Sequence, residues 1–139
     1  MGEAEAVTAT PLILCIDDEA LGLQIRKAVL EREGYRVLTA LDGASGLNLF
    51  VDEPVEGVIL DYFMPGMDGG QVAVEMRRQR PEVPILLLSA YVNLPAEVIR
   101  IVDFTVVKGE GPAELLVKVR RMLSGDGTGD GAEALGESA

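Results

Sequence analysis

The chain has no histidine, a single cysteine, and few basic residues for its acidity. Each scarcity excludes something. Without histidine, a metal site here has to be built from oxygen donors. The one cysteine, Cys15, lies inside the apolar run "LILCI", which predicts a buried reduced thiol and no disulfide framework. No apolar run approaches the roughly 18 residues of a membrane span. The opening "MGEAEAVTAT" holds two acids and no base, so it does not read as a signal peptide, and its Met-Gly start is only a faint myristoylation cue. Lys and Arg number 12 against 23 Asp and Glu, for a net charge of -11. That balance disfavours nucleic-acid binding, which calls for a basic face. The expectation is a cytoplasmic protein with no direct nucleic-acid or membrane partner.

What is present suits one domain with a sizeable core: 139 residues, 48% of them hydrophobic. The ends differ from the middle. Residues 1–10 read as a flexible arm, 11–124 as the folded domain, and 125–139 as a disordered Gly-rich, acidic tail. The tail's "DGTGDG" has the wrong acid spacing for a calcium loop. Between the ends, apolar runs alternate with helical patterns. Strands are predicted at Leu12–Ile16, Arg36–Ala40, Gly57–Leu60, Ile85–Leu88 and Phe104–Val107. Helices are predicted at Ala20–Glu33, Ala44–Val51, Gly70–Gln79, a short Ala96–Ile101, and Ala113–Leu123. In the first helix Leu21, Ile25, Ala28 and Val29 fall on one face; in the last, Leu115, Val119 and Met122 do. Five βα units predict an α/β doubly wound parallel sheet. Runs one, three and four are almost purely apolar, as strands covered on both faces should be. Runs two and five carry Arg36, Thr39 and Thr105, which places them at the edges. The strand order is then 2-1-3-4-5, with a ligand crevice where the chain reverses direction, beyond the tips of strands one and three.

Those tips are acidic. Strand one runs into "IDDE" and strand three into "LDYFMPGMDGG", so Asp17, Asp18 and Asp61 converge. Asp18 alone could be a helix cap, but a cap does not explain three acids on adjacent tips. Their mutual repulsion should raise their pKa values, and a hard cation would relieve it; Mg2+ is the natural choice for an all-oxygen set. Strand four ends in "LLLSA" and strand five in "VVKG", adding Ser89 and Lys108. A metal, a carboxylate, a hydroxyl and an ammonium together suit phosphoryl transfer onto Asp61.

Taken in order, "IDDE", "LDYFMPGMDGG", "LLLSA" and "VVKG" resemble the response-regulator receiver domain of two-component signalling, over about Pro11 to Leu123. The resemblance implies the flavodoxin-like (βα)5 fold and a phosphoacceptor role for Asp61. It implies Mg2+ held by Asp17, Asp18, Asp61 and the backbone carbonyl of Phe63, with Asp17 direct and Asp18 partly through water. Ser89 and Lys108 would contact the phosphoryl group. Two positions depart from the family pattern. Gly109 stands where a proline usually follows the lysine; a non-proline cis bond costs about 2.5–4 kcal/mol, so a trans bond and an altered loop are expected. Thr105 stands where an aromatic switch residue is usual, and Phe104 beside it should point to the opposite face. The switch is therefore expected in the short, Pro95-interrupted segment 90–102 and in residues 108–112. Phe63 and Tyr91, both bulky, are expected to cover the phosphoryl site in part.

The resemblance further implies a regulatory domain, not an enzyme, whose partners are a histidine kinase or histidine phosphotransfer protein and an unidentified downstream protein. It is expected to be of the single-domain type, and a homodimer is compatible with it. A phosphorylation-independent interaction module is the alternative. A dehalogenase-type phosphatase would want a second aspartate where Phe63 stands.

Overall fold

The computed structural model describes residues 10–90 and 93–125. Most of the expected arm, nearly all of the expected tail, and Tyr91 lie outside the described residues. Within them, β1 (Leu12–Ile16), β2 (Arg36–Ala40), β3 (Gly57–Asp61), β4 (Ile85–Ser89) and β5 (Phe104–Val107) alternate with α1 (Ala20–Arg32), α2 (Gly43–Asp52), α3 (Gly69–Gln79), α4 (Ala96–Ile101) and α5 (Pro112–Leu123). All strand pairs are parallel and the order is β2-β1-β3-β4-β5, as the composition of the runs predicted. β1, β3 and β4 are buried throughout, while β2 mixes buried and exposed positions and β5 alternates. β3 and β4 each run one residue further than expected, so Asp61 and Ser89 belong to the strands themselves.

Period-two alternation divides the core into two layers. Leu14, Ile16, Val58, Leu60, Ile85 and Leu87 join Phe50, Val72, Met76 and Val98 from α2, α3 and α4. Ile13, Cys15, Ile59, Leu86, Leu88, Phe104 and Val106 face Leu23 and Leu30 of α1 and Leu115, Val119 and Met122 of α5. The apolar face expected of α5 is therefore the one it buries.

The face expected of α1 is not. Leu21 is 71% and Ile25 57% exposed, and the buried residues are Leu23 and Leu30. The stripe that meets the sheet is Leu23, Arg26, Leu30, spaced three and four apart. A charged residue in its middle hides that stripe from a search for apolar periodicity.

The loop after β3 is set by two glycines with different jobs. Gly66 has φ +85, the left-handed region that suits glycine. Gly69 is instead a close-approach site: its amide donates to the Tyr62 carbonyl at 2.7 Å, and a Cβ there would stand 2.6 Å from the Asp61 carbonyl oxygen and 2.7 Å from Tyr62 Cα. Asp68 and Gln71 close a reciprocal capping box at the start of α3, which fixes where the loop ends. At the other end of α3, Arg77 pairs with Asp103 and donates to the carbonyls of Ile101 (2.8 Å) and Val83 (2.9 Å). That bracket ties the two-turn α4 to its neighbours. Because backbone cannot yield as a side-chain end can, Gly69→Ala should cost about 2–3 kcal/mol in urea unfolding. Wild-type stability in that variant would show that the β3–α3 loop is not closed as described.

Candidate functional site

Backbone hydrogen bonds carry each strand register one step past its end, and this brings the site together. The Asp17 amide donates to Ala40 O (3.1 Å), Tyr62 N to Leu88 O (2.8 Å), and Lys108 N to Ser89 O (2.7 Å). Asp17 and Asp61 are thus held at neighbouring tips, both almost wholly buried. Carboxylate oxygens of Asp17, Asp18 and Asp61 all lie within 4.8 Å of one another, with Asp18 exposed at the mouth. Asp18 does not cap α1; the N-cap is Glu19, with no side-chain cap.

The cation that reaches both buried acids is Lys108. Its Nζ lies 3.2 Å from Asp17 Oδ2, 3.2 Å from Asp61 Oδ2 and 3.4 Å from Glu19 Oε1. The Lys108–Gly109 peptide is trans, and Gly109 takes φ +98, which proline's ring forbids. The loop is built for glycine, and the lysine still reaches both acids. Ser89 is buried at the tip of β4, next to the register partner of Asp61.

The residues that sequence reasoning missed are Arg26 and Glu19. Arg26 Nη1 donates to Asp17 Oδ2 at 3.1 Å, its side chain only 12% exposed, and the Glu19 amide donates to Asp17 Oδ1 at 2.9 Å. Spacing offered a signal for Arg26: it lies nine residues past Asp17, on the helix that follows.

The three acids do not share one electrostatic fate. Burial and the neighbouring Asp17 charge push Asp61 up to about 6, against the pull of Lys108. Burial works on Asp17 in the same direction, but the Glu19 amide, Lys108 and Arg26 outweigh it and hold Asp17 below its ordinary value. Lys108 is held above its own, since Asp61 and Asp17 overcome its desolvation. The expected mutual elevation therefore appears on Asp61 and is reversed on Asp17. Cys15 is buried as expected, and burial pushes its thiol up to about 12.

At the departures, Phe104 is buried on the α5 side and Thr105 points the other way, half-buried, its carbonyl accepting from Lys118 Nζ at 2.8 Å. A hollow of about 290 Å3, lined by Ser89, Leu94, Thr105 and Lys118 among others, lies beside it. Phe63 is 70% exposed, so its ring stands out from Asp61 more than the expected cover requires.

A carboxyl with a raised folded pKa keeps its proton longer when folded, so its ionisation removes stability as pH rises from about 4 through 6. Asp17 has the opposite sign: its contribution is present above the ordinary carboxylate pKa and is lost as pH falls from there through its lowered pKa. Asp61→Asn should therefore stabilise the metal-free protein at pH 7.5 by about 2 kcal/mol, and the gain should vanish near pH 4. Urea unfolding in EDTA at the two pH values reads this directly; a gain of equal size at both would contradict it.

Comparison with known proteins agrees with this geometry. The family described as response regulator receiver domain matches residues 13–120. The uncharacterised transcriptional regulatory protein YbdJ of Bacillus subtilis is 33% identical over 113 residues, 80% of this chain and 50% of that protein. The probable transcriptional regulator ycf27 of Guillardia theta is 39% identical over 114 residues, 80% of this chain and 44% of its own length. The chain thus spans about half the length of these curated relatives. A CheY-like receiver domain protein from Methanospirillum hungatei superposes with a TM-score of 0.80 at 26% identity, covering 84% of this chain and 95% of that one. TrrA from Thermotoga maritima, in complex with Mg2+-BeF, gives 0.78 at 36% identity, covering 82% and 100%. The family match runs from within β1 to within α5 and takes in the whole sheet but one residue, and the chain belongs to the response regulator receiver domains of two-component systems.

Proposed function

We propose that Asp61 accepts a phosphoryl group from a histidine kinase or histidine phosphotransfer protein, and that the domain then signals by binding a downstream protein. The observation that carries this reading is the Lys108 ammonium, 3.2 Å from both buried carboxylates at the strand tips. An Asp61 oxygen attacks phosphorus, the phosphorus–nitrogen bond of the donor phosphohistidine breaks, and the imidazole leaves with the electron pair and takes up a proton. Lys108 stabilises the transferring oxygens, and the Ser89 hydroxyl lies at the adjacent strand tip to bond one of them. Leu21 and Ile25, exposed on α1 close to Asp18, supply an apolar surface for the donor protein at the mouth.

The three carboxylates fit Mg2+, an all-oxygen set with no nitrogen or sulfur donor among them. The TrrA neighbour in complex with Mg2+-BeF supports the same ion here. Bound, Mg2+ would neutralise charge on the transferring oxygens. Both Asp17 oxygens already have donors, one from Glu19 N and one from Arg26 and Lys108. That favours Asp18 and Asp61, with the Phe63 carbonyl, as the direct ligands and Asp17 as the anchor that orients Lys108. It exchanges the roles that the resemblance implied for the acidic pair.

Incubation with acetyl phosphate and MgCl2 should add one phosphate by intact mass, and Asp61→Asn should add none. No adduct on the wild type would favour the phosphorylation-independent module, and rapid turnover of added phosphoester a phosphatase. Asp18→Asn should weaken Mg2+ binding at least tenfold more than Asp17→Asn, read by titration; the reverse order would restore Asp17 as the direct ligand.

A further inference from the structure

Arg26 is out of place on packing grounds. It sits in the core-facing stripe of α1 between Leu23 and Leu30, and its side chain is only 12% exposed. A guanidinium does not shed its proton in a protein, so the position is charged in every state of the pocket. Its partner is the fully buried Asp17, at 3.1 Å, through the same oxygen that Lys108 approaches at 3.2 Å.

The geometry points to Arg26 as a resident counter-cation that sets the pocket's Mg2+ affinity. This rests on the metal site proposed above. In the metal-free protein Arg26 offsets the buried Asp17 charge and makes the empty pocket affordable. When Mg2+ arrives, the same fixed charge repels it across a few ångströms of poorly screened space and holds Asp17 Oδ2 away from it. Removing the charge should strengthen metal binding while weakening the metal-free fold. A residue that serves packing alone would do only the second. Position 26 can take an apolar side chain, since the groove beside it is lined by Ile25, Val29, Leu88 and Leu115.

The test is a MgCl2 titration followed by backbone amide NMR on wild type, Arg26→Leu, Arg26→Gln and Arg26→Lys, with thermal melts in EDTA. Arg26→Leu and Arg26→Gln should each tighten the Mg2+ Kd about tenfold and lower the metal-free Tm, and Arg26→Lys should stay near wild type. Arg26→Gln keeps a donor for Asp17, so it isolates the charge and serves if the leucine variant does not fold. Arg120→Gln, an exposed charge on α5, should leave Kd unchanged. A lower Tm with wild-type Kd in the neutral variants would overturn the role given to Arg26 and leave the metal site standing. A wild type that binds no Mg2+ would overturn the metal site, and this inference with it.

Discussion

Two carboxylates buried side by side at adjacent strand tips are the constraint on which the rest of the structure turns. Neither Asp17 nor Asp61 has water to spread its charge, and each makes ionisation of the other harder. Lys108 makes the pair tenable by standing equidistant from both. Its position is a product of the sheet. β5 lies two strands from β3, and the hydrogen bond that the Lys108 amide donates to Ser89 O extends the register one residue past the strand. Without that last backbone bond, a long and flexible lysine would have no fixed starting point for its reach.

The same constraint explains the effort spent on the loops. The chain leaves β3 at Asp61, one of the two buried carboxylates, and must turn without moving it. Gly69 allows the incoming helix to rest on the Asp61 and Tyr62 backbone, and the Asp68–Gln71 box fixes the helix start. On the far side the restraint is lighter. α4 has six residues, too few to be stable alone, and is held by the Arg77 bracket to Ile101 and Asp103. A hollow beside Ser89 and Thr105 reaches Leu94, just ahead of this helix.

Strand order, element spans and the gathering of Asp17, Asp61, Ser89 and Lys108 were legible in the sequence because each depends on local pattern. Apolar runs mark covered strands, mixed runs mark edges, and strand tips converge once the order is known. The α1 face was not legible, because periodicity counts apolar residues and the true stripe contains Arg26. The role of Gly69 was not legible either: glycine in a Met-Pro-Gly…Asp-Gly loop reads as turn chemistry, whereas the need here is clearance from the Asp61–Tyr62 backbone, several residues back along the chain but close in space. Both misses have one cause. They concern contacts between elements, which a one-dimensional pattern does not carry.

The missed arginine also changes how the pocket's charge adds up. Asp17, Asp18, Glu19 and Asp61 face Arg26 and Lys108. Two negative charges are left over, a deficit that the proposed divalent cation would fill. The division of labour follows from which acids the resident cations serve. Asp17, served by both and by the Glu19 amide, is pulled firmly into its charged form; Asp61, served by one, is left near 6. A metal bound beside Asp61 would complete what Lys108 begins and release whatever proton remains there. Of the two buried carboxylates, Asp61 is thus the one whose charge the protein alone compensates less, which suits the phosphoacceptor role and the metal proposed for it.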